Sequence, residues 1–114
     1  MAVSVAGGDG QDQTALQLLI DAIDFGLSPA DAVTSPRFGT YHHIGSFGQT
    51  PPSLGSLAIN PEAGAEVMSA LTALGHKVRP TTGPLWSPCM LQHDADGDFH
   101  VAGDPRAGRH AAAT

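Results

Sequence analysis

The segment VAGGDGQDQ, Val5–Gln13, limits the fold of this chain more than any other stretch. The short apolar run AVSVAG, from residue 2, reads as a strand that stops at two adjacent glycines. Within a few residues a helical pattern begins. A strand that turns so abruptly into a helix needs backbone without a Cβ, because glycine alone visits φ > 0 without steric cost. Its plain reading is a tight strand-to-helix connection. The same arrangement also leaves consecutive backbone N–H groups free to face a substrate oxygen, as a site for a developing oxyanion requires. Gly7 and Gly8 are the candidates for that role. The spacing is not that of the dinucleotide fingerprint, since G-x-G-x-x-G is missing.

Downstream, QTALQLLIDAIDFG, Gln13–Gly26, reads as an amphipathic helix. Leu16, Leu19, Ile20, Ile23 and Leu27 recur at intervals of three and four and form the expected buried face, with Gly26 as the stop. Ser28-Pro29 and Asp31 give the cap, first-turn proline and acidic third position of a second, short helix over Pro29–Thr34. Pro36 ends it. Gly39–Gly55, with four glycines and prolines at 51 and 52, reads as loop. Ser56–Asn60 alternates as a strand, and Asn60-Pro61 opens a helix with Val67, Leu71 and Leu74 on one face, ending at Gly75. HKVRP is a short strand. PCMLQHD and DFHVAGD form a hairpin turning at Asp96-Gly97. The tail from Arg106 is small and polar and is expected to fray. The element order predicts one α+β domain over residues 1–114, with helices on one face of a mixed or antiparallel sheet. Its first strand has no local neighbour to pair with, so the chain is expected to be part of a larger fold.

Composition excludes several classes. Eleven acids against five bases leave a net charge of −6, with no basic patch for nucleic acid or an anionic membrane. No stretch reaches the length of a membrane span, and the N-terminus lacks the pattern of a signal peptide. Cys89, the single cysteine, rules out an internal disulfide and a thiolate zinc site, and reads as a small core residue. DADGD, Asp94–Asp98, resembles the opening of a calcium loop, but Gly103 stands where the loop's glutamate belongs. It therefore reads as a turn, and a calcium site on Asp94, Asp96 and Asp98 is the weaker alternative. His42 and His43 adjoin in the loop, and His76, His93, His100 and His110 are scattered; His93 and His100 are placed to face each other across the hairpin. None has metal-binding spacing, so no metal or cofactor is expected. No serine lies in G-x-S-x-G, and removal of Met1 would expose Ala2, which has no nucleophile.

Four pieces, in order, resemble the C-terminal part of the gamma-glutamyltransferase (gamma-glutamyl transpeptidase) small subunit, within the N-terminal-nucleophile hydrolases. They are VAGGDGQ, LQLLIDAIDFGLSPADAVTSPRF, EVMSALTALGHKV and DADGDFHVAGDPR, which span Val5 to Arg106. The loop YHHIGSFGQTPP departs from the family's usual pattern. The resemblance implies a four-layer αββα fold of which this chain supplies one part. It also implies a precursor that cuts itself, and a new N-terminal threonine that attacks the gamma-glutamyl amide of glutathione-type substrates. By the same resemblance Gly7 and Gly8 are the oxyanion hole. The threonine lies upstream of this pair, so the chain alone is expected to be inactive and to need the large subunit and the rest of the small subunit as partners. Asp9 is a candidate lining residue by adjacency. Asp104 and Arg106 read as structural. The family is often periplasmic or secreted and sometimes cytoplasmic, which leaves the compartment open. The alternative is a stand-alone, non-catalytic module that docks on a partner.

Overall fold

The computed structural model describes residues 1–112. Strand β1, Ala2–Ala6, leads through a 3-10 turn at Gly8–Gly10 into helix α1, Gln11–Ile23. Helix α2, Pro29–Thr34, follows. Its cap is as the sequence predicts: the Ser28 hydroxyl accepts from Asp31 N at 3.2 Å and donates to the Asp31 carboxylate at 2.6 Å. Strands β2, Phe38–Tyr41, and β3, Ser53–Ile59, come next, then helix α3, Ala65–Ala73, and strand β4, Lys77–Pro80. Strands β5, Ser87–His93, and β6, Phe99–Gly103, close the chain with a 3-10 turn at Pro105–Ala107.

The strands form two three-stranded sheets. In the first, central β5 pairs antiparallel with both β1 and β6. In the second, central β3 pairs antiparallel with β2 and parallel with β4. Segment β3–α3–β4 is therefore a parallel crossover, which requires a helix-length connection. Helices α1 and α2 pack on the first sheet around Leu18, Ala22, Ala32, Val33 and Met90, with Val3, Val5, Leu27 and Ala102 at the margin. The α+β class is as expected.

Several local expectations are corrected. The buried stripe of α1 is Thr14, Leu18 and Ala22, while Leu16, Ile20 and Ile23 are exposed. The helix is apolar on more than one face, and the side with small Thr14 and Ala22 allows the closer approach to the sheet. Gly39–Gly55 is not all loop: Tyr41 pairs with Ser53, and only residues 42–52 connect the strands. The third helix does not start at Pro61. Pro61–Ala63 is a 3-10 turn broken at Gly64, whose φ of 99° interrupts the helix before α3 begins. The hairpin turn spans five residues, with Asp94 accepting from the N–H of Asp96 and Asp98 at 3.0 and 2.9 Å. The expected fraying of the tail does not begin at Arg106, because Arg109 N donates to Asp104 O at 3.0 Å. Residues 113 and 114 lie outside the described residues.

Two glutamines join the halves. Strand β2 is an edge, so its outer N–H and C=O groups lack a strand partner. Gln13 accepts from Thr40 N and donates to Thr40 O, at 2.8 and 3.0 Å. Gln17, one turn on, accepts from Phe38 N and donates to Phe38 O, at 3.1 and 2.8 Å. Each side-chain amide thus stands in for a peptide group, and α1 serves β2 as a neighbouring strand would.

Candidate functional site

The glycine turn sits where β1 ends against β5. Ala6 pairs with Ser87, so Gly7 leaves the sheet beside Trp86. Gly7 has φ 141° and ψ 22°, and Gly8 has φ 66°, both in the region that favours glycine. Among the described residues neither N–H donates to a backbone or side-chain acceptor. Both glycines line a cleft of about 310 Å³, walled by Asp9, Tyr41, His43, Phe47 and Trp86.

Asp9 lines the same cleft and ties down the β2–β3 connection. Its carboxylate accepts from Ser46 N at 2.8 Å and lies 3.9 Å from His43 Nε2. Hydrogen bonding from Ser46, with His43 adding a smaller pull, holds the Asp9 carboxyl below the usual carboxylate range. The loop is closed on itself by Gly45 N donating to Thr50 O at 2.8 Å. Thr40 and Thr50 also face the cleft.

The residues that support this turn were not all legible as such. Trp86, the only tryptophan, has φ 64°, and its indole lies where three glycines lack side chains. Arg37, which enters the sequence reading only within the piece that ends in SPRF, is 1% exposed. It donates to Val33 O at 2.6 Å, to Leu85 O at 3.2 Å, and to the carboxylate of Asp104. Asp104, fully buried, also accepts from Arg106 N, Nε and Nη2 at 2.9, 3.1 and 2.9 Å. Burial raises the Asp104 carboxyl, but hydrogen bonds from Arg106 and Arg37 outweigh it and hold the group below its ordinary value. The structural roles expected for Asp104 and Arg106 are those seen. Arginine flanked by proline and phenylalanine, far from any acid in sequence, gave no signal of its partner.

The remaining candidates stay apart from the cleft. His93 and His100 do not face each other: His93 packs in a tilted arrangement against Phe99, with centroids 4.9 Å apart, because the register pairs those two. His100 bonds the Asp94 carboxylate at 2.8 Å. Asp94 is thereby committed to its own turn and to His100, not to a group of converging oxygens. Cys89 is half-buried in central β5, between Ser4 and Gly103. Among the described residues no helix is long and apolar enough to cross a membrane.

Comparison with known proteins bears on what such a cleft belongs to. A family model described as gamma-glutamyltranspeptidase matches residues 1–114. The glutathione hydrolase proenzyme of Escherichia coli (strain K12) is 31% identical over 101 residues, covering 89% of this chain and 16% of that protein. In fold, the chain is similar to a cephalosporin acylase from Bacillus halodurans, with a TM-score of 0.75 at 24% identity over 91% of this chain and 18% of that one. It is similar also to a gamma-glutamyltranspeptidase from Pseudomonas nitroreducens, with a TM-score of 0.73 at 19% identity over 98% of this chain and 53% of that one. At such identities the likeness speaks for the fold alone. The chain thus spans about a sixth of the curated relative it matches.

Proposed function

The chain belongs to the gamma-glutamyltranspeptidase family, and from that premise we propose that it is the C-terminal portion of a gamma-glutamyltransferase-like enzyme, supplying the oxyanion hole through Gly7 and Gly8. The observation that carries this reading is a pair of adjacent glycines at positive φ that line the cleft, their N–H groups without a backbone or side-chain acceptor among the described residues. In acyl transfer from a gamma-glutamyl donor, the carbonyl oxygen gains negative charge as the tetrahedral intermediate forms. Preorganised backbone donors stabilise that charge without reorganising.

The attacking group is a threonine on the rest of the enzyme. Thr40 and Thr50 line the cleft, but both lie within the chain and carry no free α-amino group to take the hydroxyl proton. Alone the chain is therefore inactive, since an oxyanion hole with no activated nucleophile cannot form an acyl-enzyme. Its partners are the large subunit and the earlier part of the small subunit. The exposed apolar side of α1, with Leu16, Ile23 and the following Phe25, supports a covered face in the assembly.

Two experiments test this. The purified chain should not hydrolyse a gamma-glutamyl anilide; turnover at an enzyme-like rate sinks the claim that the nucleophile lies elsewhere. In the complete polypeptide, replacing the Gly8 N–H by an ester oxygen should lower kcat by about 10²–10³. An unchanged kcat removes Gly8 from the oxyanion hole. The same exposed face also suits a second reading, a non-catalytic module docked on a partner. An assembled complex that binds tightly yet never turns over a gamma-glutamyl substrate would favour it.

A further inference from the structure

We propose that Trp86 is the positioning residue of the Gly7–Gly8 turn, its indole acting as a shared side chain for Gly7 and Gly10 of that turn and for Gly39 of strand β2. A Cβ built on Gly7 would lie 2.2 Å from Trp86 Cδ1. One on Gly10 would lie 1.6 Å from Cε2, and one on Gly39 would lie 2.1 Å from Cη2. No real Cβ tolerates those distances, so the ring occupies all three vacancies at once. It spans the turn after β1, the start of α1 and the edge strand β2. The glycines of VAGGDG are thus required twice, for positive φ at Gly7 and Gly8 and for indole contact at Gly7 and Gly10.

The ring is itself held in place. Trp86 adopts φ 64°, which a bulky residue takes up only where its surroundings impose it. On one side Arg37 Nε donates to Leu85 O at 3.2 Å. On the other Ser87 enters the ladder opposite Ala6, the residue before Gly7. Further back, the Asn60 amide holds Thr81 O and Gly83 O, both at 3.0 Å, while its oxygen accepts from Arg37 N at 2.9 Å. The loop before Trp86 is therefore clamped by buried polar groups, and the indole passes that fixed position to the turn.

The proposal rests on the oxyanion reading only for what the turn is held to do. Its test is backbone NMR of the chain carrying Trp86→Ala or Trp86→Phe. In the wild type the Gly7 and Gly8 amides should have order parameters near the rigid value of about 0.85, and in Trp86→Ala these should fall below about 0.6. The amides of Leu18 and Met90 should keep their values. Added indole, at millimolar concentration, should occupy the vacated socket and restore the rigid values, while Trp86→Phe should give an intermediate loss. Unchanged Gly7 and Gly8 in folded Trp86→Ala overturns the proposal, and so does loosening shared equally by Leu18 and Met90. Should the alanine variant not fold, Trp86→Phe decides by the same two criteria. The readout needs no catalysis. A loosened turn, together with an unchanged kcat on ester substitution at Gly8, keeps Trp86 as the support and rejects the oxyanion role alone.

Discussion

The two sheets solve the same problem to different degrees. The first has its helices on it: α1 and α2 bury Leu18, Ala22, Ala32 and Val33 against Met90 of central β5. The second buries Leu57, Ala58 and Ile59 of β3, but α3 contributes no buried residue, and Val67 on it and Leu74 at its C-cap are exposed. Between them run the Gln13 and Gln17 amides, the Arg37–Asp104 pair and the Trp86 indole. The contrast teaches where the chain's own cohesion ends. The β1–β5–β6 half, with α1 and α2, is a packed layer. The β2–β3–β4 half is held chiefly by ladders and polar bonds, with apolar surface left for something else to cover.

That contrast can be broken by mutation. The largest effect is expected at the junction: Arg37→Ala leaves Asp104 buried with one fewer cation and frees two carbonyls, and should cost about 3–5 kcal/mol in urea unfolding. A cost below about 1 kcal/mol would mean that the junction does not hold the halves together. Next, Leu18→Ala in the first layer should cost about 2–5 kcal/mol by lost burial and cavity formation. The Asp104 carboxyl gives a pH-dependent counterpart. Its folded value lies below the ordinary 3.8, so its contribution is present above that pH and lost as pH falls through the folded value. Acid titration of stability should therefore be steeper below about pH 4 for the wild type than for Asp104→Asn. An identical slope would remove Asp104 from the acid response.

Two smaller effects sharpen the comparison. The Thr14 hydroxyl is buried beneath α1 with no hydrogen-bond partner among the described residues. Thr14→Val should therefore raise stability by about 1 kcal/mol, seen as a higher thermal midpoint. A loss instead would show a partner for that hydroxyl. Last, Leu74→Ser at the C-cap of α3 should change the stability of this chain by no more than about 0.5 kcal/mol, because the residue is 77% exposed. A loss comparable to Leu18→Ala would abolish the difference between the halves.

What was legible follows the range of the interactions involved. The strand-to-glycine turn, the Ser28 cap with Pro29 and Asp31, the stop at Gly26 and the Asp-Gly hairpin all rest on contacts within a few residues. Such contacts are written in consecutive letters, and the sequence by itself determined them. It also placed Gly7 and Gly8 at a strand end before a helix, where both now line the cleft. The tertiary structure alone decided which side of α1 is buried, since its apolar residues point more than one way and only a neighbour selects among them. It decided that β2 is a strand, because that segment's outer backbone is satisfied by Gln13 and Gln17, more than twenty residues earlier. It decided, too, that Arg37 meets Asp104, 67 positions away, and that one indole fills the space of Gly7, Gly10 and Gly39. Local backbone preferences act over a few bonds and so survive in the sequence, whereas burial and ion pairing act through space and exist only once distant segments have been brought together.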